Sequence, residues 1–311
     1  MPLSPLKSSQ GFVTNLLRTL KGVVAAIITI STLLACNVLQ VLSAPLLLVS
    51  RKIVRVVNRW IGGGWWWLCD WLAERWGIDI QISGDPLPMR ENVMVIANHQ
   101  AMTDINTLFR LARRQGRIGD LKWFVKDIIK YVPGIGWGMI FLDCIFLKRN
   151  WKRDRARLFK QLSRFEREQI PLWTLSFVEG TRLRPHKLEA SQRFAEERGW
   201  SAHQHLLLPR TKGFCLTLEA LGDHLDAVYD ATLGYVGGVP TLWQWCRGDV
   251  REVALHVRRF DLAHIPRDEE SLSEWLRARW IEKDELLDHY YRHGVWPTST
   301  DAPPQASQAE E

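Results

Sequence analysis

The hydrophobic and polar positions of this chain change period several times along its 311 residues. From Gly22 to Ser50 no residue is charged, a run of 29 positions. As one straight helix that run would be about 43 Å long, more than the ~30 Å hydrocarbon core of a bilayer. Asn37, Gln40 and Pro45 interrupt its later half, so one tilted span and a bent or re-entrant hairpin both fit. The apolar part is too long for a secretory signal, and no small-residue cleavage site ends it. Gly62-Gly63-Gly64 is expected to break the chain. The tryptophan-heavy stretch 65–76 then reads as an amphipathic segment lying in a membrane interface.

From Ile78 onward the pattern shortens. Apolar, β-rich runs at 93–97, 123–125, 145–147, 172–178, 206–208, 228–236 and 250–257 alternate with helical stretches, which predicts an α/β fold. The polar, proline-rich end predicts a disordered tail. The organisation expected is a membrane anchor over 1–60, an interfacial segment over 61–77, a globular domain over 78–296 and a tail over 297–311.

Composition narrows this picture only in part. A hydrophobic share of 46% supplies a core and excludes wholesale disorder. The net charge of +7 suits an anionic membrane surface, a nucleic acid or a polyphosphate ligand, and does not choose among them. Five scattered cysteines without a Cys-x-x-Cys indicate neither a zinc site nor a disulfide framework and suit a cytoplasm-facing domain. Sixteen tryptophans favour a membrane-water interface, with some left for the core. Arg18 and Lys21 precede the uncharged run, and Arg51, Lys52, Arg55 and Arg59 follow it, which places its C-terminal side in the cytoplasm or both ends there.

Several familiar chemistries are missing: no Gly-x-Ser-x-Gly elbow, no Walker A loop, no His-Glu-x-x-His. Gly134-Ile135-Gly136-Trp137-Gly138 follows Pro133 rather than a strand, so it reads as a turn and not as a dinucleotide loop. The candidate chemistry lies at Asn98-His99-Gln100-Ala101-Met102-Thr103-Asp104, between the apolar run 93–97 and a helical segment over 105–113. Such a turn can fold the Asp104 carboxylate back onto one imidazole nitrogen of His99, leaving the other as a general base. The helix dipole alone would also favour an aspartate there. The spacing recurs at His256 and Asp261, but alternation around His256 suggests a continuing strand, which would hold that pair apart.

Three further apolar runs end in cations: Phe146-Leu147-Lys148-Arg149, Phe177-Val178-Glu179-Gly180-Thr181-Arg182 and Leu207-Leu208-Pro209-Arg210-Thr211-Lys212-Gly213. Ligands of open α/β sheets collect beyond strand ends, and arginine suits bidentate phosphate binding. Taken in order, these blocks resemble the four-block pattern of the glycerolipid acyltransferases, and more narrowly the 1-acylglycerol-3-phosphate acyltransferases (the PlsC family). The resemblance covers roughly residues 90–215 and extends to Lys126 and the stretch 131–137. Leu147-Lys148-Arg149 departs from the family by being more basic than the usual second block.

The resemblance implies a mixed sheet flanked by helices, with an N-terminal membrane-anchoring helix or hairpin. It implies a bacterial inner-membrane protein with its catalytic domain facing the cytoplasm. The activity implied is transfer of a fatty acyl chain from acyl-CoA or an acyl carrier protein to a lysophospholipid hydroxyl, above all that of 1-acylglycerol-3-phosphate, giving phosphatidate. His99 would be the base and Asp104 its orienting partner. Arg149 and Arg182 would hold the acceptor phosphate, with Lys126 and Lys212 in support, while Glu179, Gly180 and Thr181 shape the pocket, Glu179 by fixing an arginine or the glycerol. No cofactor, metal or nucleic acid is implied. Remodelling of other lysophospholipids, lipid hydrolysis by the same dyad, and a non-enzymatic basic membrane-surface module are the alternatives.

Overall fold

The computed structural model describes residues 3–8, 11–148 and 151–297. Helix α1 (Phe12–Ser43) and helix α2 (Arg51–Arg75) form an antiparallel hairpin around a short 3-10 turn at Ala44–Leu48. Cross-contacts fix its register: Asn58 donates to the Ser43 hydroxyl at 2.9 Å, and the Trp65 indole donates to the Thr29 carbonyl at 3.1 Å. The stretch Phe12–Leu48 is long and apolar enough to cross a membrane, which makes it a candidate anchor. The hairpin also packs on the globular part at both of its ends. Arg18 pairs with Asp249 at 3.0 Å, and near the turn Arg55 pairs with Asp143 at 3.2 Å and Arg59 with Asp120 at 2.8 Å.

The expected break at Gly62–Gly64 does not occur; α2 runs straight through it. Two of these glycines serve close approach instead. A Cβ at Gly62 would come within 2.6 Å of Leu142, and one at Gly63 within 2.8 Å of the Gly119 Cα. The tertiary contact outweighs the roughly 1 kcal/mol that each glycine costs a helix.

The globular part then runs β1 (Asp79–Gly84), β2 (Val93–Ala97), α3 (Asp104–Arg114), β3 (Leu121–Lys126), α4 (Ile135–Phe141), β4 (Ile145–Leu147), α5 (Trp151–Arg167) and β5 (Trp173–Ser176). It continues with α6 (Pro185–Glu196), α7 (Thr211–Leu221), β6 (Ala227–Tyr235), α8 (Leu242–Cys246), β7 (Glu252–Asp261) and α9 (Glu269–His293). The strands form one mixed sheet in the order β1-β7-β6-β2-β5-β3-β4, parallel except for the antiparallel pair β6–β7. Two strand expectations need correction. Residues 206–208 lie outside the sheet, and β1, whose run alternates weakly, is an added edge strand. The Gly134 turn opens directly into the short helix α4.

Central strand β2 is buried at every position. Val93, Val95 and Ala97 face a core shared with α2 and α3, while Met94 and Ile96 face one shared with α5, α7 and α9. Helices thus cover both faces, as a largely parallel sheet requires. The C-terminal ends of β2 and β5 lie side by side, with Ile96 paired to Ser176, and there the chain leaves the sheet in two adjacent loops.

Candidate active site

The loop after β2 carries His99 and turns at once into α3. Asp104 is the first residue of that helix, and its carboxylate folds back over the turn. One oxygen, Oδ2, accepts from His99 Nδ1 at 2.8 Å and from the amides of Gln100 and Ala101 at 2.7 and 2.9 Å. The other, Oδ1, accepts from the Tyr235 phenol at the end of β6, which also meets Thr103 Oγ1 at 2.7 Å. Asp104 is fully buried, whereas the His99 side chain keeps 13% of its surface exposed. A carboxylate only accepts, so Nδ1 carries the hydrogen and Nε2 is left as a base. The ring lies flat on Phe177, their centres 3.9 Å apart.

Further long-range contacts hold this turn. Asn98 forks onto the backbone of Leu233, donating to its carbonyl at 3.0 Å and accepting from its amide at 2.8 Å. Gln100 donates to the Tyr291 hydroxyl of α9 at 2.9 Å. Glu179, from the loop after β5, accepts the His99 amide at 3.1 Å and the Leu207 amide at 3.4 Å. Glu179 is buried, and among the described residues its carboxylate holds these two backbone amides and pairs with no arginine. Burial pushes its carboxyl up to about 8, against the lowering effect of those two amides.

Gly180 adopts φ 71°, and a Cβ there would meet the Arg210 guanidinium at 2.9 Å. That absence of a side chain lets Arg210 close over the loop while its amide donates to the Val178 carbonyl at 2.8 Å. The Leu183 amide donates to the His99 carbonyl at 2.7 Å, which brings Arg182 beside the histidine loop.

These residues open on a cavity of about 1320 Å³. One part of its lining is apolar and comes from α1, α2 and α4, with Leu33, Trp65, Trp66 and Ile135 among it. Another part carries cations: Lys126 at the end of β3, Arg182, and Arg210 and Lys212 at the start of α7. None of these four enters an ion pair among the described residues. Thr181, whose hydroxyl accepts from Lys187, and Gly180 complete the rim. Of the expected site residues, His99, Lys126, Gly180, Thr181, Arg182 and Lys212 line the cavity, and Asp104 and Glu179 stand buried behind it. Arg149 lies outside the described residues. Arg210, Phe177, Tyr235 and Asn98 were not among the candidates. Asn98, Phe177 and Arg210 stand inside quoted blocks and were within reach of that reasoning; Tyr235 carries no local signal.

The second histidine pair is kept apart, as expected. His256 and Asp261 stand on β7 opposite Thr232 and Ala227, five register positions from each other.

Comparison with known proteins agrees with this arrangement. A family model described as Acyltransferase matches residues 79–226, and one described as Acyltransferase C-terminus matches 246–310. An Arabidopsis thaliana protein named "Probable 1-acyl-sn-glycerol-3-phosphate acyltransferase 5" is 34% identical over 287 residues, covering 91% of this chain and 76% of the relative. The chain belongs to the 1-acyl-sn-glycerol-3-phosphate acyltransferase family. The mouse 1-acyl-sn-glycerol-3-phosphate acyltransferase delta is 36% identical over 240 residues, 75% of this chain and 64% of that one. Among solved structures, the 1-acyl-sn-glycerophosphate acyltransferase PlsC from Thermotoga maritima shares the fold at a TM-score of 0.52 and 16% identity, covering 89% of this chain and 95% of that one. The boundaries of the two family models fit the geometry of this acyltransferase. The first takes in the dyad and all the cavity cations named above, and the second takes in α9, whose Tyr291 holds Gln100.

Proposed function

We propose that the chain transfers an acyl group from a thioester donor to the free hydroxyl of 1-acylglycerol-3-phosphate, giving phosphatidate. The observation that carries this reading is the His99–Asp104 contact of 2.8 Å beside a cavity whose lining combines apolar side chains with cations unpaired among the described residues. His99 Nε2 takes the hydroxyl proton as the oxygen attacks the thioester carbonyl, forming the new C–O bond. Collapse breaks the C–S bond, and the imidazolium returns the proton to the departing sulfur. A positioned base of this kind contributes about 10²–10⁴-fold. The thioester is already activated, so no acyl-enzyme is required. Asp104 orients the ring and stabilises its charged form. Arg182, Arg210 and Lys212 hold the acceptor phosphate, with Lys126 in support, and the apolar part of the cavity takes the acyl chain. The names of the relatives support the acceptor.

The same reading places the protein on a membrane. Leu16, Leu20, Ile27, Ile30, Leu34 and Leu42 are exposed along α1, as are Trp60 and Trp71 on α2. Because the hairpin is tied to the domain at both of its ends, α1 lies along the bilayer surface with this face in one leaflet.

The test uses full-length protein in phospholipid vesicles, a labelled long-chain acyl thioester and a panel of lysophospholipids, with products separated by head group. Phosphatidate from lysophosphatidate is expected, and His99→Ala should abolish it. Release of free fatty acid without an acceptor would mean hydrolysis instead.

A further inference from the structure

A second group of cations gathers around two aromatic rings of the cavity wall, outside the four blocks. Phe194 on α6 and Trp200 just beyond it stand edge to face, ring centres 6.2 Å apart, with 43% and 39% of their surfaces exposed. Both line the same cavity as His99, and so does Arg277 of α9. The Arg198 guanidinium stands 3.9 Å from the Phe194 ring centre and 5.7 Å from that of Trp200, and the Arg277 guanidinium stands 4.8 Å from Trp200. Neither arginine enters an ion pair among the described residues. The contrast within α9 is informative: Arg279 pairs with Glu282, and Arg292 with Asp288 at 2.6 Å. Arg277 is held by a ring rather than by a carboxylate. A ring face orients a guanidinium without consuming its N–H donors, so both planar cations keep their donors for an anion.

We infer that Arg198 and Arg277, held over Phe194 and Trp200, form a second anion subsite that takes the phosphates of the adenosine bisphosphate part of acyl-CoA. This rests on the acyl-transfer reading above. Transfer from CoA brings together two anionic substrates whose charges lie at different distances from the reacting carbonyl. The acceptor phosphate is on the same glycerol as the attacking hydroxyl, which suits Arg182 and Arg210 in the loops around His99. The phosphates of CoA stand at the far end of the pantetheine arm, so they need cations on another wall of the cavity. Arg277 supplies one from α9 in the cavity lining, and Arg198, just past the end of α6, supplies another over the rings of Phe194 and Trp200. A donor carried on a protein would present its phosphopantetheine without the nucleotide and would leave this subsite unused.

The experiment compares two donors of equal chain length on the full-length protein in vesicles: the acyl-CoA and the acyl-pantetheine thioester, which lacks the nucleotide. Adenosine 3′,5′-bisphosphate serves as the competing probe. Arg277→Gln and Trp200→Ala should each raise the KM for acyl-CoA by about tenfold, as expected for loss of one charge-assisted contact. The KM values for acyl-pantetheine and for lysophosphatidate should stay unchanged, and competition by adenosine 3′,5′-bisphosphate should weaken in step. Equal changes for the two donors would overturn the inference, since they would report a general disturbance of the cavity. So would failure of the bisphosphate to compete in the wild type, or acceptance of acyl carrier protein with rejection of acyl-CoA. A wild type that acylates lysophosphatidate from neither donor nor from acyl carrier protein would instead overturn the acyl-transfer reading.

Discussion

Tyr235 donates its phenolic hydrogen to Oδ1 of Asp104, the carboxylate oxygen that His99 does not use. Burial, with Asp104 alongside, holds this phenol well above its ordinary value of 10, so it remains a donor throughout any assay range. The bond draws carboxylate charge away from the imidazole side. Tyr235→Phe should therefore strengthen the hold of Asp104 on an imidazolium, and the acid limb of kcat/KM against pH should move to higher pH. The unsatisfied buried oxygen should also lower stability by about 1–3 kcal/mol. An acid limb that stays in place in folded Tyr235→Phe would leave the tyrosine with a packing role alone.

The two His-x4-Asp pairs provide an internal control. His99→Ala should reduce kcat by at least ~10²-fold while the donor still binds, because loss of a base acts on the transition state. Asp104→Asn should also fall sharply, since an amide cannot stabilise the imidazolium. His256, whose ring meets Ser83 at 3.3 Å on the far side of the sheet order, should be dispensable for turnover. A folded His256→Ala variant that is inactive would reverse the assignment.

Glu179 should be felt in stability as well as activity. Its folded-state value of about 8 lies above its ordinary 4.5. The stability that the protonated group contributes is therefore complete below about pH 4.5 and is lost as the pH rises through 8. Glu179→Gln does not titrate there, so the Tm advantage of wild type over this variant should shrink between pH 5 and 8, on the order of that whole interval. The glutamine NH2 also cannot accept both amides, so kcat should fall with the His99 loop displaced. A Tm difference that is flat with pH would show that the carboxyl stays ionised.

For the cationic wall, Arg182→Ala and Arg210→Ala should each cost about 1.5–3 kcal/mol of acceptor binding, seen as a rise in the lysophosphatidate KM of one to two orders of magnitude. Lys212→Ala and Lys126→Ala should cost less, since a lysine is a single hydrated point charge. The KM for the acyl donor should move little. Unchanged acceptor KM values in both arginine variants would remove them from the phosphate site.

Membrane attachment through one leaflet predicts resistance to high salt and release by detergent. Replacing Leu20, Ile27 and Leu34 on the exposed face of α1 with glutamate should bring the protein into the soluble fraction without unfolding it. Continued sedimentation of that triple variant with vesicles would point to another attachment surface.

The chemistry of one turn was legible in the amino-acid sequence because it is local. An apolar run, a five-residue spacing and a helical period together determine that His99 and Asp104 bracket a strand-to-helix turn, and β2 and α3 fall where that pattern puts them. The α/β alternation, the uncharged N-terminal run and the cations at strand ends are likewise properties of short windows. The tertiary structure decided what joins across the chain. Glu179 reaches His99 over 80 positions and Gln100 reaches Tyr291 over 191, and no local pattern encodes such pairings. Gly62 and Gly63 look like helix breakers by propensity, yet the close approach of Leu142 and Gly119 makes them necessary inside α2. Residues 206–208 look like a strand by their apolar character, but they stay outside the sheet, and the amides of Leu207 and Leu208 go to the side chains of Glu179 and Ser191. Propensity and period act over one or two turns of chain, whereas register, close packing and buried hydrogen bonding are settled only when distant segments compete for the same space.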